Sequence, residues 1–172
     1  MVIWITGISG SGKTTLANYL LKIVKKKTIY LDGDKFREIF NNDIKYSKNE
    51  RDINAIRITK FTKFLSDQNF NIIVAANITN FKFRTWCRKN IKHYYEVFIK
   101  ADIKNLLKRD YKSLYKNFFL GKVNNVVGLD IPFKTPKGCD IYINNNFDKK
   151  SFLLINGKKI LNEITKKNIK IY

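Results

Sequence analysis

The sequence predicts a single-domain α/β protein in which helices cover both faces of a doubly wound, mostly parallel sheet. Three observations predict this fold class. Short β-rich runs alternate with stretches of helical periodicity along the whole chain. Residues 72–76 form a near-continuous apolar run, which is typical of a central parallel strand buried on both faces. The 172 residues, 44% of them hydrophobic, can form one full core, and no linker or repeat divides them, so the domain spans residues 1–172.

The first predicted elements are a strand at residues 2–5 and a helix marked by Leu16, Leu20 and Ile23. Between them, residues 7–14 read Gly-Ile-Ser-Gly-Ser-Gly-Lys-Thr, which matches the phosphate-loop pattern in its required strand, loop, helix context. Glycines let backbone N–H groups surround phosphate oxygens, and the helix N-terminus adds positive potential. The alternative is a Gly-rich turn that binds nothing. The predicted ATP-binding residues are Gly7, Ser9, Gly10, Ser11, Gly12, Lys13, Thr14 and Thr15.

Two carboxylates follow the second predicted strand, at residues 28–31. They are Asp32 and Asp34, and because ligands of such sheets bind beyond the carboxyl ends of the strands, we expect both acids beside the phosphate loop. A solvated turn is the alternative interpretation. The lysines at residues 25–27, just before this strand, are expected in the last turn of the first helix, where cations suit the helix dipole.

A long helix is predicted from about Lys48 to Leu65. Its apolar residues are expected to face the core, and a polar face carries three side chains at three-residue steps. The predicted core residues are Ile53, Ile56, Phe61 and Phe64, and the polar ones are Arg51, Asn54 and Arg57.

The second half of the chain continues the alternation. We predict a helix at residues 83–91, a strand at 97–99, a helix that Asp102 caps and that contains Leu106, Leu107, Arg109 and Asp110, a strand at 140–143 and a closing helix at 157–165. Glycines and prolines interrupt residues 121–138, a loop too long for a bare connection. Loops of this length in compact domains are typically lids or binding segments.

The charge of the chain is strongly positive, with 34 Lys and Arg against 14 Asp and Glu, or +20. The cations are mostly lysines spread along every segment. We therefore interpret the charge as a solvated surface, with two alternatives: a field that steers anionic nucleotides, or a nucleic-acid site, for which the sequence offers no arginine-rich tail or stacking motif.

The cysteines, the N-terminal residues and the length of the apolar runs indicate the compartment of the protein and its relation to membranes. Cys87 and Cys139 lie far apart without metal-ligand spacing, which is typical of reduced thiols. The N-terminus shows no signal-peptide pattern, and no apolar run approaches the roughly 20 residues that a membrane helix needs. We expect a cytoplasmic protein that does not associate with membranes.

Several motifs together resemble those of adenylylsulfate kinases. They are GISGSGKTT at residues 7–15, LDGD at 31–34 followed by Arg37, the Arg51-x-x-Asn54-x-x-Arg57 helix, RDYKSLY at 109–115 and VVGLDIPF at 126–133. The resemblance covers roughly residues 1–145. It implies a P-loop kinase with five parallel strands, commonly a homodimer, that transfers the γ-phosphoryl group of MgATP to the ribose 3′-hydroxyl of adenylylsulfate.

The resemblance and the chemistry of phosphoryl transfer together assign roles. Lys13 and Asp34 are the predicted catalytic residues, Asp34 as the group that holds the 3′-hydroxyl or takes its proton. Thr14, and Asp32 through water, are expected at Mg²⁺. By resemblance, Arg109 lies by the ATP base. The predicted acceptor-binding residues are Asp34, Arg37, Tyr46, Arg51, Asn54, Ile78, Thr79, Asn124 and Val126.

The acceptor side departs from the family pattern at the lid. Relatives carry a Lys and then a Phe that covers the adenine, and Asn124 and Val126 stand at these positions, while Tyr46 keeps the opposing aromatic. Asn80 replaces the usual proline after Ile78 and Thr79, a departure that bears on the shape of that loop. A half-removed adenine clamp slightly favours a smaller base, as in kinases of cytidine diphosphoramidate, over adenylylsulfate. A P-loop regulatory or nucleic-acid-binding module is the alternative from another class.

Overall fold

The computed structural model describes residues 1–24, 27–110, 112–145 and 149–166. Five strands form one sheet in the order β2-β3-β1-β4-β5, and every pair of neighbours is parallel. The predicted doubly wound parallel sheet is therefore confirmed. The strands are β1 (Val2–Thr6), β2 (Thr28–Asp32), β3 (Asn71–Ala75), β4 (Tyr94–Lys100) and β5 (Ile141–Asn144).

Helices cover both faces of the sheet. They are α1 (Lys13–Ile23), α2 (Gly33–Glu38), α3 (Lys48–Asp67), α4 (Phe81–Asn90), α5 (Ile103–Lys108), α6 (Leu114–Phe119) and α7 (Lys149–Lys166). Leu16, Leu20 and Ile160 from α1 and α7 fill the core on one face of the sheet. Ile58 of α3 and Cys87 of α4 pack against Trp4 on the other face.

The order of the strands places a crevice at the carboxyl ends of β1 and β3. β2 lies on the far side of β3, and β4 and β5 lie on the far side of β1, so the connections that leave this pair run in opposite directions along the sheet. Ligands of open α/β sheets bind at such a switch point. The phosphate loop begins here, directly after β1.

One prediction about α3 is wrong. The four apolar residues expected in the core are exposed, with Ile53 at 41%, Ile56 at 45%, Phe61 at 39% and Phe64 at 60%. The buried face instead carries Asn54, Ala55, Ile58, Thr59, Thr62 and Leu65. An apolar stripe at helical spacing has the same pattern whether it covers the core of its own chain or faces outward, so periodicity alone could not assign the face.

Several predicted boundaries also change. The helix after Asp102 ends at Lys108, so Arg109 is its C-cap residue and Asp110 lies outside it. Asp102 is the N-cap residue as predicted, although its side chain makes no capping hydrogen bond. Two short helices, α2 and α6, were not predicted, because each spans only six residues and too few turns to show periodicity.

The closing helix is longer than predicted. It begins at Lys149, well before Gly157, which lies inside it. A Cβ at Gly157 would lie only 2.2 Å from the ring of Tyr19, so this glycine permits a close crossing of α7 over α1 rather than marking a helix start. Helix α1 ends at Ile23, so Lys27 lies beyond it, while Lys25 and Lys26 are outside the described residues.

The predicted lid, residues 121–138, forms no helix and holds one isolated bridge between Val127 and Ile131. Within the described part of the chain, no helix is both long and apolar enough to cross a membrane.

Candidate active site

The phosphate loop connects β1 to α1 without room for larger side chains. Gly12 is the N-cap residue of α1 with φ of 103°, in the left-handed region that favours glycine. A Cβ at Gly7 would lie 2.5 Å from the carbonyl oxygen of Ile99 on β4. Glycine is therefore required at both ends of the turn, and the backbone can approach a phosphate closely.

Two side chains from distant segments hold the outside of this loop. The hydroxyl of Tyr115 on α6 donates to the carbonyl oxygen of Ser9 at 2.8 Å. The amide Nδ2 of Asn145, after β5, donates to the carbonyl oxygen of Ser11 at 2.7 Å. These two bonds connect the loop to α6 and to the end of β5 and so fix its backbone, and backbone N–H groups at a helix N-terminus are suited to bind an anion.

The ammonium group of Lys13 is enclosed by the same loop. Its Nζ donates to the carbonyl oxygen of Ile8 at 2.9 Å. Burial lowers the pKa of Lys13 to about 8, while Asp34 and Asp32 raise it and Lys112 lowers it. A desolvated cation of this kind gains much from a phosphate group placed beside it.

Asp32 connects the phosphate loop to α2. Its Oδ1 accepts hydrogen bonds from the backbone N–H of Asp34 at 2.9 Å and of Lys35 at 3.4 Å, so it is the N-cap of α2. Its Oδ2 accepts from Thr14 Oγ1 at 3.3 Å and from the Tyr30 hydroxyl at 2.8 Å. Burial raises the pKa of Asp32, but these four hydrogen bonds outweigh it and the pKa is lowered.

The carboxylate of Asp34 lies between two cations. Its Oδ2 is 3.3 Å from Lys112 Nζ, and its Oδ1 is 3.6 Å from Arg37 NH1. The side chain remains 56% exposed, so an acceptor hydroxyl can reach it. Lys112 was not predicted from the sequence; the available signal was its position inside the RDYKSLY motif, of which only Arg109 was assigned a role.

Two predicted acceptor-binding residues meet at the start of α2. Arg37 NH1 and Asn54 Nδ2 both donate to the carbonyl oxygen of Gly33, at 3.1 and 3.3 Å. Both side chains are buried, yet Arg37 Nε and Asn54 Oδ1 have no hydrogen-bond partner among the described residues. Buried polar atoms without a partner are rare in proteins and often mark a place for a ligand or water.

Tyr46 carries two guanidinium groups over its ring. The Arg37 and Arg51 Cζ atoms lie 4.8 and 5.2 Å from the ring centroid, within the range of cation–π contacts. Burial, followed by the charge of Arg37, lowers the pKa of Arg51. Two cations held this close together favour an anion between or beside them.

The lid lies over both parts of the site. Arg51 NH2 donates to the carbonyl oxygen of Asn125 at 2.7 Å, and Gly128 packs on the Ile8 side chain of the phosphate loop. The Asp130 carboxylate accepts from the backbone N–H of Asn125 and of Val126, at 2.6 and 2.5 Å, and so holds the lid turn. Arg51, a predicted acceptor-binding residue, thus holds the predicted lid.

Asn124 and Val126, the lid residues that stand where relatives carry the Lys and Phe of the adenine clamp, differ in how exposed they are. Asn124 is exposed, and its Oδ1 accepts from Asn125 Nδ2 at 2.7 Å. Val126 is 2% exposed and packs with Leu106 and Tyr115 in a small apolar cluster. A ring at position 126 would have to leave this cluster to cover an acceptor base.

The loop after β3 carries the remaining predicted residues. Ile78 is buried in the core, and Thr79 is half-buried beside it. Asn80 takes the N-cap position of α4, where its Oδ1 accepts from the Lys82 N–H at 3.1 Å, so the missing proline does not disturb the start of the helix. Arg109 is half-buried at the end of α5, and its contact with an adenine stays a prediction.

Comparisons with known proteins match almost the whole chain. The sequence profile of the family described as adenylylsulphate kinase matches residues 1–144. A cytidine diphosphoramidate kinase of Campylobacter jejuni is 40% identical over 90% of this chain and 94% of its own. An adenylyl-sulfate kinase of Pseudomonas aeruginosa is 36% identical over 83% of this chain and 75% of its own. The structure of the Mycobacterium tuberculosis APS kinase in complex with AMPPNP and APS has a TM-score of 0.84 at 26% identity, covering 95% of this chain and 96% of that one.

Proposed function

The chain belongs to the adenylylsulfate kinase family, and we propose that it transfers the γ-phosphoryl group of MgATP to the 3′-hydroxyl of cytidine diphosphoramidate. The observation that carries the proposal is the joint placement of two halves of a site: the phosphate loop with Lys13 faces Asp34, and Arg37 and Arg51 lie directly beyond that acid. This order suits a phosphate donor, a hydroxyl and an anionic acceptor group.

The proposed reaction needs little covalent chemistry from the protein. The bond between the γ-phosphorus and the bridging oxygen breaks, a bond from the acceptor O3′ to that phosphorus forms, and ADP leaves with the electron pair. The O3′ proton passes to the Asp34 carboxylate and then to solvent. Lys13 stabilises the charge on the β- and γ-phosphates, while Arg37 and Arg51 hold the acceptor's diphosphate-like group.

The metal that such kinases use has suitable ligands here. The hydroxyl of Thr14 is exposed at the end of the phosphate loop, 3.3 Å from a carboxylate oxygen of Asp32. Mg²⁺ binds proteins through few side-chain oxygens and keeps several waters, so these two residues fit a Mg²⁺ ion that arrives with ATP. Bound there, Mg²⁺ would neutralise charge on the phosphates. Among the described residues, no three or more acidic, His or Cys side chains form a cluster that could hold a metal ion.

The choice of acceptor base rests on two supports. The Campylobacter jejuni cytidine diphosphoramidate kinase is 40% identical to this chain. In addition, relatives are expected to carry an aromatic ring at the lid position that Val126 occupies here, and Val126 is buried in an apolar cluster. Stacking contributes roughly 1–3 kcal/mol per base, and a smaller cytosine loses less of it than adenine does when one ring is absent.

The test uses both acceptors with MgATP. ADP release is followed, and phosphorus NMR identifies the product. We expect phosphorylation of a ribose hydroxyl, with kcat/KM higher for cytidine diphosphoramidate than for adenylylsulfate. Turnover of adenylylsulfate at about 10⁴ M⁻¹s⁻¹ or better, with no reaction of the cytidine compound, would instead establish the second candidate.

That second candidate is adenylylsulfate kinase activity, which makes 3′-phosphoadenylylsulfate. It is supported by the 36% identity to the Pseudomonas aeruginosa adenylyl-sulfate kinase and by retention of Tyr46, Arg51 and Asn54. A regulatory or nucleic-acid-binding module would be indicated only if neither acceptor released ADP. Because the reaction consumes ATP, we place it in the cytoplasm.

We also propose that the protein is a homodimer joined through the exposed face formed by α3 and the turn that follows α2. This face, which we call the apolar face, comprises Ile39, Phe40, Ile53, Ile56, Phe61 and Phe64. Patches of this kind mark interaction sites on soluble proteins. Residues 33–68 carry eight Lys or Arg and six Asp or Glu, a net charge of +2, whereas an average stretch of 36 residues in this chain carries about +4, so two copies that meet here repel each other less than at an average stretch.

Light scattering after size-exclusion chromatography tests the dimer. We expect wild-type protein at twice the monomer mass and Phe64→Lys at the monomer mass. Ile155→Lys, at a residue equally exposed on α7, is the matched control and should stay dimeric. A wild-type monomer at micromolar concentration, or a partner other than a second copy on this face, would contradict the proposal.

A further inference from the structure

In the proposed function, the anionic group of the acceptor is held by two long side chains, Arg37 of α2 and Arg51 of α3. Fixing a side chain of this length costs rotamer entropy, so an arginine that is already held in place binds an anion more tightly than one that must first be ordered. The Arg51 guanidinium group donates to the carbonyl oxygens of Tyr46 and Asn125, at 2.8 and 2.7 Å. Arg37 NH1 donates to the carbonyl oxygen of Gly33 at 3.1 Å. These carbonyl oxygens hold the two groups without neutralising their charge.

One aromatic ring contacts both guanidinium groups. The Cζ atoms of Arg37 and Arg51 lie over the Tyr46 ring, 4.8 and 5.2 Å from its centroid. Burial and then the nearby charge of Arg37 lower the pKa of Arg51, so the two cations are close enough to repel each other. The face of an aromatic ring carries negative potential. The Tyr46 ring therefore attracts both cations and offsets part of their repulsion.

The backbone on both sides of Tyr46 is held by one carboxylate. The Glu50 side chain accepts hydrogen bonds from the backbone N–H of Lys45 and of Ser47, each at 3.0 Å. Ser47 is the N-cap residue of α3, and its hydroxyl accepts from the Glu50 N–H, so the two residues form a capping box. The start of α3 therefore fixes the backbone from which the Tyr46 ring extends.

We propose that Tyr46 is a positioning residue of the acceptor site, whose ring holds the guanidinium groups of Arg37 and Arg51 side by side to bind the anionic phosphate end of the acceptor. The inference rests on the proposed function and adds how its two cations are kept in place. Tyr46 remains 47% exposed, so part of its ring is still open to the acceptor base. Stacking on a base and holding the arginines can be separated, because only the second affects an anion that carries no base.

The experiment measures binding of inorganic pyrophosphate, an anion without a base, by calorimetry. A non-hydrolysable ATP analogue with Mg²⁺ first saturates the phosphate loop, so that pyrophosphate reports on the acceptor half alone. Tyr46→Leu should weaken pyrophosphate binding about ten- to a hundredfold, because both arginines must then be ordered by the ligand. Tyr46→Phe keeps the ring and should bind pyrophosphate within about twofold of wild type. With cytidine diphosphoramidate, Tyr46→Leu should raise the acceptor KM and leave the KM for ATP unchanged.

Tyr142→Leu on β5 is the matched control and should bind pyrophosphate as wild type does, since Tyr142 is 45% exposed and its ring packs on Phe98. A loss of pyrophosphate binding in Tyr46→Leu but not in Tyr46→Phe supports the inference even if no phosphoryl transfer occurs, in which case only the proposed function fails. An unchanged affinity for pyrophosphate in Tyr46→Leu, or an equal loss in Tyr46→Phe, would overturn the positioning role. Wild-type protein that binds no pyrophosphate would do the same.

Discussion

The two halves of the site are built in different ways. The phosphate half is a continuous segment, residues 7–15, and Lys13 Nζ donates to the carbonyl oxygen of Ile8 in the same loop. The acceptor half joins α2, α3, the loop after β3 and the lid; one of its bonds, from Arg51 to Asn125, spans 74 residues. The predicted triphosphate-binding residues are thus contiguous in the chain, although Tyr115 and Asn145 hold their loop from distant segments, whereas the predicted acceptor-binding residues themselves come from separate segments.

Both halves keep buried polar atoms without a partner among the described residues. In the phosphate loop the carbonyl oxygens of Ser9 and Ser11 accept hydrogen bonds, but Ser11 Oγ has no partner. In the acceptor half, Arg37 Nε and Asn54 Oδ1 have none. Ligands are therefore expected to add hydrogen bonds in both halves.

The largest expected effect is at Lys13. Lys13→Ala should lower kcat by about a hundred- to a thousandfold, because it removes a cation that faces the charge developing on the transferred group. The melting temperature should not fall, since Lys13 is desolvated without a carboxylate in contact. Lys22→Ala, exposed on the same helix, is the control for charge. Near-normal turnover by folded Lys13→Ala would remove the phosphate half from the mechanism.

Asp34 lies at the boundary between the two halves. Asp34→Asn should reduce kcat by about a hundredfold, with little change in either KM, because an amide can hold the hydroxyl but cannot take its proton. Steady-state kinetics with each substrate varied separately checks this split. A rise in the acceptor KM at constant kcat would instead assign Asp34 to acceptor binding alone.

Substitution of Arg37 and Arg51 tests whether the acceptor half binds the acceptor rather than ATP. Arg37→Ala and Arg51→Ala should each raise the KM of the acceptor about ten- to a hundredfold, since hydrogen bonds to charged groups contribute about 1.5–3 kcal/mol. The KM for ATP should stay unchanged. Arg57→Ala is the matched control on α3, because Arg57 pairs with Asp43 rather than with the acceptor half. If the arginine variants raised only the KM for ATP, the acceptor half would be misplaced.

The smallest expected effect is the loss of stability when Asp32, the N-cap residue of α2, is replaced. Its lowered pKa means that the ionised carboxylate stabilises the fold at neutral pH, and that this contribution is lost as the pH falls from about 4 through the lower value in the folded protein. Asp32→Ala should cost about 1 kcal/mol at pH 7, as typical N-cap losses do. In urea unfolding the difference from wild type should shrink at lower pH. Asp67→Ala, which removes an exposed carboxylate paired with Lys63, is the control for the loss of a surface charge.

The predictions from the sequence were right for the fold and the phosphate half, and they were incomplete for the acceptor half. The phosphate loop, the five strands and the helices on both faces were predicted, and the resemblance to the adenylylsulfate kinase family is confirmed. The outward direction of Phe61 and Phe64, and the approach of Lys112 to Asp34, were not. Lys112 and Asp34 are 78 residues apart, and no periodicity connects two such positions.

What the sequence determined by itself is the class of fold and the donor half. A phosphate loop needs only a strand, glycines and a helix in succession, and backbone conformation at each glycine is a local matter. The tertiary structure alone decided the outward face of α3, the covering of Tyr46 by two arginines and the packing of Gly33 against Ala76. These depend on contacts between residues far apart in the chain, and such contacts form only when the sheet has brought its carboxyl ends together.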